Sequence, residues 1–382
     1  MTYIFISVLI FFFSKVTKKR DSVFLFFCFS VFLFFFAVFR YGQGTDYFTY
    51  KFIYNRYAIE FDSFKFYFQG VEPGYSLLNI VFNKLHLSFE TFVGVLSGVN
   101  LVVLFSVIKK NSSNLLFSLL IFFLNYYVPY LTNQWRQAFA MILALAILCS
   151  YINDGKKVSF IAKVVLVGFT FHFSILALLL VPLFDKLFSE KFIFSPIKPF
   201  IFCIFCFAFS FGSFLVLPVV FNVLHLQIVS KLISYAKSSG FSVLSVALRL
   251  LFGVLIAALS RKAVKESGDV VIKKIYRIYF YGLFLYLVLS QIAIFSRFSD
   301  YYTFMEVLLV PNIIYRKNLQ KKKSRNVLKI AVLALYFVLF FKDLTDATYQ
   351  GGYQNHGALH YPYVTIFNKD SIYEYREVPK IW

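Results

Sequence analysis

Charge is scarce in this chain. Asp, Glu, Lys and Arg make up 15% of its 382 residues, where an ordinary soluble domain carries about a quarter. Acidic residues are the rarer sign, 18 against 39 Lys and Arg, which leaves a net charge of +21. Cysteine is almost as sparse. Cys28, Cys149, Cys203 and Cys206 all lie in apolar runs. Cys203 and Cys206 form a C-x-x-C with no second pair and no nearby ligand residues, so packing is the reading for all four. No His/Cys/Asp spacing matches a zinc site, and no D-x-D pair is present to hold a sugar-nucleotide metal. No cofactor is implied. A Walker A sequence is also missing, which argues against a nucleotide-driven pump, and the lack of an internal repeat argues against an inverted-repeat transporter.

Apolar residues take the place of charge. They account for 60% of the chain, with Phe alone occurring 54 times. The run from Phe24 to Phe36 has no charge in it. One soluble core of this length could not bury so much apolar surface, so lipid must cover it. The positive charge does not point to nucleic acid. It falls in short clusters between apolar runs, at Lys15–Arg20, Lys109–Lys110, Lys156–Lys157, Arg261–Arg277 and Arg316–Lys329. That is the distribution of cytoplasmic loops under the positive-inside rule, and no soluble basic module is visible. The N-terminal stretch from Met1 to Ser14 lacks a basic n-region and a small-residue cleavage site, and reads as a retained first span.

A span needs about 20 apolar residues. Candidates are 2–16, 22–39, 89–108, 114–131, 135–152, 200–220, 241–260, 275–295, 301–316 and 327–343. The stretch 158–184 lies between two basic segments and is only 27 residues long. Two short arms meeting near His172, each about 20 Å long, would let both ends stay on one side. The expectation is therefore an all-α, polytopic membrane protein with about 12 membrane segments, between about 10 and 14. Residues 1–343 form one transmembrane helical domain with an outer-face loop at 40–88, and 344–382 form a polar, periplasmic tail. Gly94 and Gly98 make one G-x-x-x-G, read as helix packing.

Polar side chains inside such a protein are expensive and usually line a site. Under this topology Arg40, Asp46, Glu72, Arg136, His172, Arg249 and Arg297 fall on one leaflet, opposite the basic clusters. Taken singly, Arg40 or Arg297 could snorkel to headgroups, His172 could be a core histidine, and Asp46 or Glu72 could be loop carboxylates. Their convergence suggests chemistry. Arginines suit phosphate oxygens, a pyrophosphate leaving group needs such a clamp, and a carboxylate or His could accept a proton from an attacking hydroxyl. Nearby tyrosines, among them Tyr41, Tyr47, Tyr50, Tyr54, Tyr57, Tyr67, Tyr75, Tyr301 and Tyr302, suit sugar faces. Enrichment at the membrane interface is the safer explanation for most of them.

These residues resemble a known family. R-Y-G-Q-G-T-D-Y-F-T-Y from Arg40 to Tyr50, E-P-G-Y from Glu72 to Tyr75, Arg136-Gln137, His172-Phe-Ser174, Arg249, Arg297 and the late Tyr361-Pro-Tyr363 resemble the EpsG-like branch of Wzy-type polysaccharide polymerases. The resemblance implies a bacterial inner-membrane glycosyltransferase with a C-type helical fold, working without a metal. It would polymerise undecaprenyl-pyrophosphate-linked oligosaccharide repeat units at the periplasmic face, into O-antigen or a related polysaccharide that can end on lipopolysaccharide. Membrane lipid and a chain-length regulator are the other partners it implies. Arg40, Arg136, Arg249 and Arg297 would clamp pyrophosphate. Asp46 is the first candidate base and His172 the second, Glu72 would orient the acceptor or brace an arginine, and Tyr301 and Tyr302 would stack on sugar. A flippase for the same lipid-linked sugars, an O-antigen ligase and a non-catalytic membrane subunit are the competing readings.

Overall fold

Two apolar helices open the chain: α1 (Thr2–Val16) and α2 (Lys19–Val38). A computed structural model describes residues 1–16, 19–59, 71–209, 243–289, 293–315, 322–350 and 362–376. Among these the structure is all-α with no strand. Two helices follow, α3 (Tyr47–Ile59) and α4 (Pro73–Lys84), then the long α5 (Phe89–Asn111). α6 (Leu115–Phe122) runs directly into a π-helical stretch, Phe123–Thr132. Pro129 lies inside that stretch, where its missing N–H and ring disfavour regular α-helical bonding. Next come α7 (Trp135–Asp154), α8 (Lys157–Thr170), a 3₁₀ segment Phe173–Leu180, α9 (Val181–Leu187) and the single turn α10 (Glu190–Ile193). The remainder is α11 (Lys198–Phe209), α12 (Val243–Glu266), α13 (Val270–Leu289), α14 (Ala293–Thr303), α15 (Glu306–Tyr315) and α16 (Lys322–Gln350).

Among the described residues, three helical stretches are long and apolar enough to cross a membrane: Phe89–Asn111, Leu115–Thr132 and Trp135–Asp154. Shorter apolar helices occupy Thr2–Lys15, Ser22–Val38 and Lys198–Phe209. Polar residues fix where the long ones begin. The Ser88 hydroxyl accepts from Thr91 N–H at 3.1 Å, and the Asn114 carboxamide accepts from Phe117 N–H at 2.9 Å. Both are N-caps that satisfy a first-turn amide. α8 ends at Thr170 and the 3₁₀ segment begins at Phe173, so the helix breaks around His172, where the sequence places the junction of two arms.

The chain divides into two units. The first is built from Met1–Tyr151, Val158–Phe173 and the chain from Lys329 onward, the second from Ile152–Lys157 and Ser174–Leu328. In the first unit α2 packs on α5 and α1 on α6. The G-x-x-x-G of α5 makes the first of these contacts close. A methyl on Gly98 would fall 2.7 Å from the Phe34 ring of α2, and one on Gly94 would fall 3.2 Å from Val38. α2 ends, α5 begins, the π-helix ends, α7 begins and α8 ends at one end of this unit. In the second unit α13 packs against α12 and α14.

Within the expected outer-face loop, the described residues 40–59 and 71–88 form two helices. α3 and α4 carry Tyr47, Tyr50, Tyr54 and Tyr75 into a buried cluster with Tyr41, Phe89, Phe92 and Trp135. Interface enrichment is therefore not the explanation for these tyrosines, because their rings form the core of a cap over the helix ends. Tyr67 lies outside the described residues, as does the side chain of Tyr57. At the other end of the sequence α16 continues to Gln350, past the expected start of the tail, and residues 362–376 lie against the Arg40–Gly44 segment.

Candidate functional site

The peptide following α2 turns sharply. Gly42 and Gly44 hold φ of +67° and +95°, a region that L side chains rarely adopt. A methyl on Gly44 would sit 1.9 Å from the Thr132 carbonyl oxygen, so this turn presses directly on the end of the π-helix. Gln43 between them is fully buried. Its carboxamide accepts from Tyr3 Oη at 2.9 Å and donates to the Val364 carbonyl at 2.9 Å. The same carbonyl accepts from Tyr41 N–H at 2.8 Å, and Ile366 N–H donates to Phe39 O at 2.8 Å. Arg376 Nη1 donates to the carbonyls of Gly42 and Gly44 at 3.2 and 3.0 Å. The Tyr363 ring stacks on Phe36 at 4.0 Å. The C-terminal strap thus stitches the turn shut from more than 300 residues away.

Beside this turn lies a connected set of charged groups. Glu72 is the N-cap residue of α4 and is 4% exposed. Its Oε2 accepts from Arg136 Nη1 at 2.5 Å. Its Oε1 lies 2.9 Å from His172 Nδ1 and accepts from Phe173 N–H at 3.3 Å. One carboxylate therefore joins the start of α4, the first turn of α7 and the break after α8. Gly74 makes this approach possible, since a methyl there would fall 2.5 Å from Thr170 Cα. Burial by itself raises the Glu72 carboxyl, but the His172 hydrogen bond and the Arg136 charge outweigh it and hold the group below the ordinary glutamate value.

Arg136 is held on its other side by aromatic rings. Its guanidinium carbon lies 5.2 Å from the Tyr50 centroid and 5.3 Å from that of Tyr75, both within cation–π range. Trp135 meets the same two rings edge-on, at 5.0 and 5.8 Å. Burial pushes the Tyr50 phenol up to about 12, with Asp46 adding to the rise and Arg136 opposing it. Tyr50 therefore keeps its proton and donates it to Asp46 Oδ2 at 3.3 Å. A chain of contacts runs from Asp46 through Tyr50 and Arg136 to Glu72 and His172. The buried Nε of Arg136 has no hydrogen-bond partner among the described residues.

The remaining sequence candidates fall elsewhere. Arg40 is 2% exposed and donates through Nη1 to the Leu131 carbonyl, so its contact is with the end of the π-helix and not with Glu72, Arg136 or His172. In the second unit Tyr301 and Tyr302 are fully buried. Their hydroxyls bond Ser174 Oγ at 2.6 Å and the Ala177 carbonyl at 2.5 Å, which fastens α14 to the 3₁₀ segment. Gly282 lets Tyr302 approach α13, a methyl there falling 2.6 Å from the Tyr302 Cβ. With both rings enclosed by protein, the expected stacking on a sugar has no open face. Arg297 is half-buried in α14. Arg249 lies on α12, and its side chain is outside the described residues. Among the described residues no cluster of His, Cys, Asp and Glu could hold a metal ion.

Two features were invisible to the sequence reading. Nothing local marks Arg376 as a partner of Gly42 and Gly44, and Trp135 reads there as a span boundary. The Gly-Gln-Gly spelling was the available signal, since flanking glycines around one polar residue announce a tight turn that something must fill.

The family model described as the EpsG family matches residues 23–363. The match takes in most of the sequence, and the chain belongs to that family. Membership carries a polysaccharide-polymerase type of function in a membrane. Comparison with curated proteins and with solved structures returns no match.

Proposed function

Starting from membership of the EpsG family, we propose that this protein polymerises lipid-linked oligosaccharide repeat units by glycosyl transfer, with Glu72, Arg136 and His172 at the centre of the site. The observation that carries the reading is the Glu72 carboxylate, buried and shared between a guanidinium and an imidazole. Ion pairs of this kind are costly to bury and need a compensating purpose or a full set of partners.

The roles follow from the bonding. Glu72 accepts at His172 Nδ1, which fixes the ring so that the proton sits on Nδ1 and leaves Nε2 basic. His172 then becomes the first candidate base, and Asp46, already engaged by Tyr50, the second. In the reaction an acceptor hydroxyl oxygen forms a bond to the anomeric carbon of the growing glycan. The bond from that carbon to the pyrophosphate oxygen breaks, and the hydroxyl proton passes to His172 Nε2. Arg136, braced by Glu72 and two rings and with an unpartnered N–H, is suited to the charge that builds on the leaving group. Arg40 serves this site indirectly, by anchoring the turn that carries Asp46. Arg249 and Arg297 stay as candidate anion ligands of the second unit.

The finer reading places the protein in a bacterial inner membrane as a multi-pass protein of about 12 segments, resembling C-type glycosyltransferases. Its substrate is an undecaprenyl-pyrophosphate-linked repeat unit, its face periplasmic and its product O-antigen or a related polysaccharide, with a chain-length regulator as partner. The test is complementation of a strain lacking the protein. The expected phenotype is single repeat units on the cell surface, restored to long ladders by the wild type and not by His172→Ala or Glu72→Gln. Loss of all repeat units on deletion would instead assign a flippase or a ligase.

A further inference from the structure

The second unit contains a cavity of about 460 Å³ with one charged lining residue. α11 and α12 form its walls, with Cys203 and Phe207 on one and Ala257 and Ala258 on the other, and Phe280 and Leu287 of α13 line it further. Small side chains at Cys203, Ala257 and Ala258 leave the space open. The Tyr276 hydroxyl, which could have made this lining polar, donates to the Ala257 carbonyl at 3.0 Å. The Phe194 ring stacks on Tyr276 at 5.2 Å.

Charge enters at Arg261. Its Nη1 donates to the Phe194 carbonyl at 3.0 Å. Its other N–H groups make no hydrogen bond among the described residues. Ser195, next to Phe194 in the chain, also lines the cavity. Lys262 and Lys265 follow on the same helix and are exposed. Apolar flanks extend outward at Ile204 and Leu251, which are 63% and 61% exposed. The cavity is therefore amphipathic, apolar along its length and cationic where it meets Arg261.

We propose that this cavity is a binding site for an anionic phospholipid, with one acyl chain between α11 and α12 and the headgroup phosphate on Arg261 and Ser195. Three points select this occupant. The basic cluster containing Arg261 faces the cytoplasmic leaflet under the positive-inside rule, and that leaflet carries a negative surface potential. A guanidinium with free N–H groups suits phosphate oxygens. The volume falls in the range of small-ligand pockets, enough for one fatty-acyl chain and too small for a whole polyprenyl chain.

The test uses the full chain in nanodiscs of phosphatidylethanolamine mixed with phosphatidylglycerol, with bound lipid counted by native mass spectrometry. The wild type is expected to retain one phosphatidylglycerol, and its unfolding temperature to rise when phosphatidylglycerol replaces phosphatidylethanolamine. Arg261→Gln should lower occupancy about tenfold, as loss of one charge-assisted hydrogen bond would. Ala258→Phe, which fills the cavity from its exposed side, should displace the lipid with Arg261 still present. Lys262→Gln should leave it bound. Three results would overturn the proposal: no retained anionic lipid in the wild type, equal retention in all four proteins, or retention of a polyprenyl phosphate instead. The lipid-exchange measurement on the wild type needs no variant to fold.

Discussion

His172 Nδ1 lies 2.9 Å from Oε1 of Glu72, one hundred residues earlier in the chain. The other oxygen of the same carboxylate holds Arg136 at 2.5 Å. Removing the charge should therefore do more than weaken one contact. Glu72→Ala leaves Arg136 buried without its carboxylate, a change that costs about 3–5 kcal/mol in comparable buried pairs. Glu72→Gln keeps one acceptor and should cost less while still abolishing long polymer. Thermal unfolding of the purified variants, read beside glycan ladders, separates the two effects.

The same carboxylate predicts an acid limit. Its folded pKa lies below the ordinary value of 4.5, so its contribution to stability is complete above that value. The contribution is lost as the pH falls through the lower folded value. Unfolding temperature measured between about pH 6 and about pH 3 should drop at the acid end. Glu72→Gln should flatten that part of the curve. An unchanged slope in the variant would mean that other carboxylates dominate acid unfolding.

Arg136 should not tolerate lysine. An ammonium cannot lie flat between the Tyr50 and Tyr75 rings and also offer several N–H groups in a fixed fork. Arg136→Lys should fold and lose about 10²-fold in polymerisation rate, as loss of a preorganised donor does elsewhere. Tyr50→Phe keeps the ring and removes the hydroxyl on Asp46, so it should retain most activity. Tyr50→Leu should lose it. If Phe loses as much activity as Leu, the Asp46 bond matters and the ring does not; if both keep it, neither does.

The strap formed by 362–376 should be needed for the turn to hold. Arg376→Gln removes a charged donor from the Gly42 and Gly44 carbonyls, and the expected cost is about 1.5–3 kcal/mol. Ending the chain before Tyr363 should cost more, because it also removes the Phe36 stacking and the Val364 and Ile366 bonds. Protease resistance of the 40–59 segment measures this directly.

Gly44→Ala and Gly155→Ala form a matched pair. Both positions have positive φ, but a methyl on Gly44 meets the Thr132 carbonyl while Gly155 has nothing within 4 Å. Gly155→Ala should cost about 1 kcal/mol from backbone strain alone. Gly44→Ala should exceed it clearly in a thermal melt.

Much of the helical framework was legible in the sequence for a local reason. A run such as 89–108 declares itself by length and hydropathy, and the structure carries that helix on to Asn111. Glu72, Arg136 and His172 were legible as candidates because charge inside an apolar chain is conspicuous. The folded cap built by α3 and α4 was not. α3 has almost no apolar periodicity, and the tyrosines of the cap look the same in sequence whether they face headgroups or a core. The burial of Tyr301 and Tyr302 escaped for the same reason.

The sequence is enough to make this chain helical and apolar and to say where its positive charge collects, because those properties add up along neighbouring residues. It also determined the family, through short blocks such as Arg40 to Tyr50. That Glu72 serves both Arg136 and His172, that Arg40 turns to the Leu131 carbonyl, and that Arg376 returns to Gly42 emerges only in the folded chain. Each of these is a contact between residues far apart in the chain. Its formation depends on where helices begin and end and how closely glycines such as Gly44 and Gly74 let them approach, and no local pattern records that.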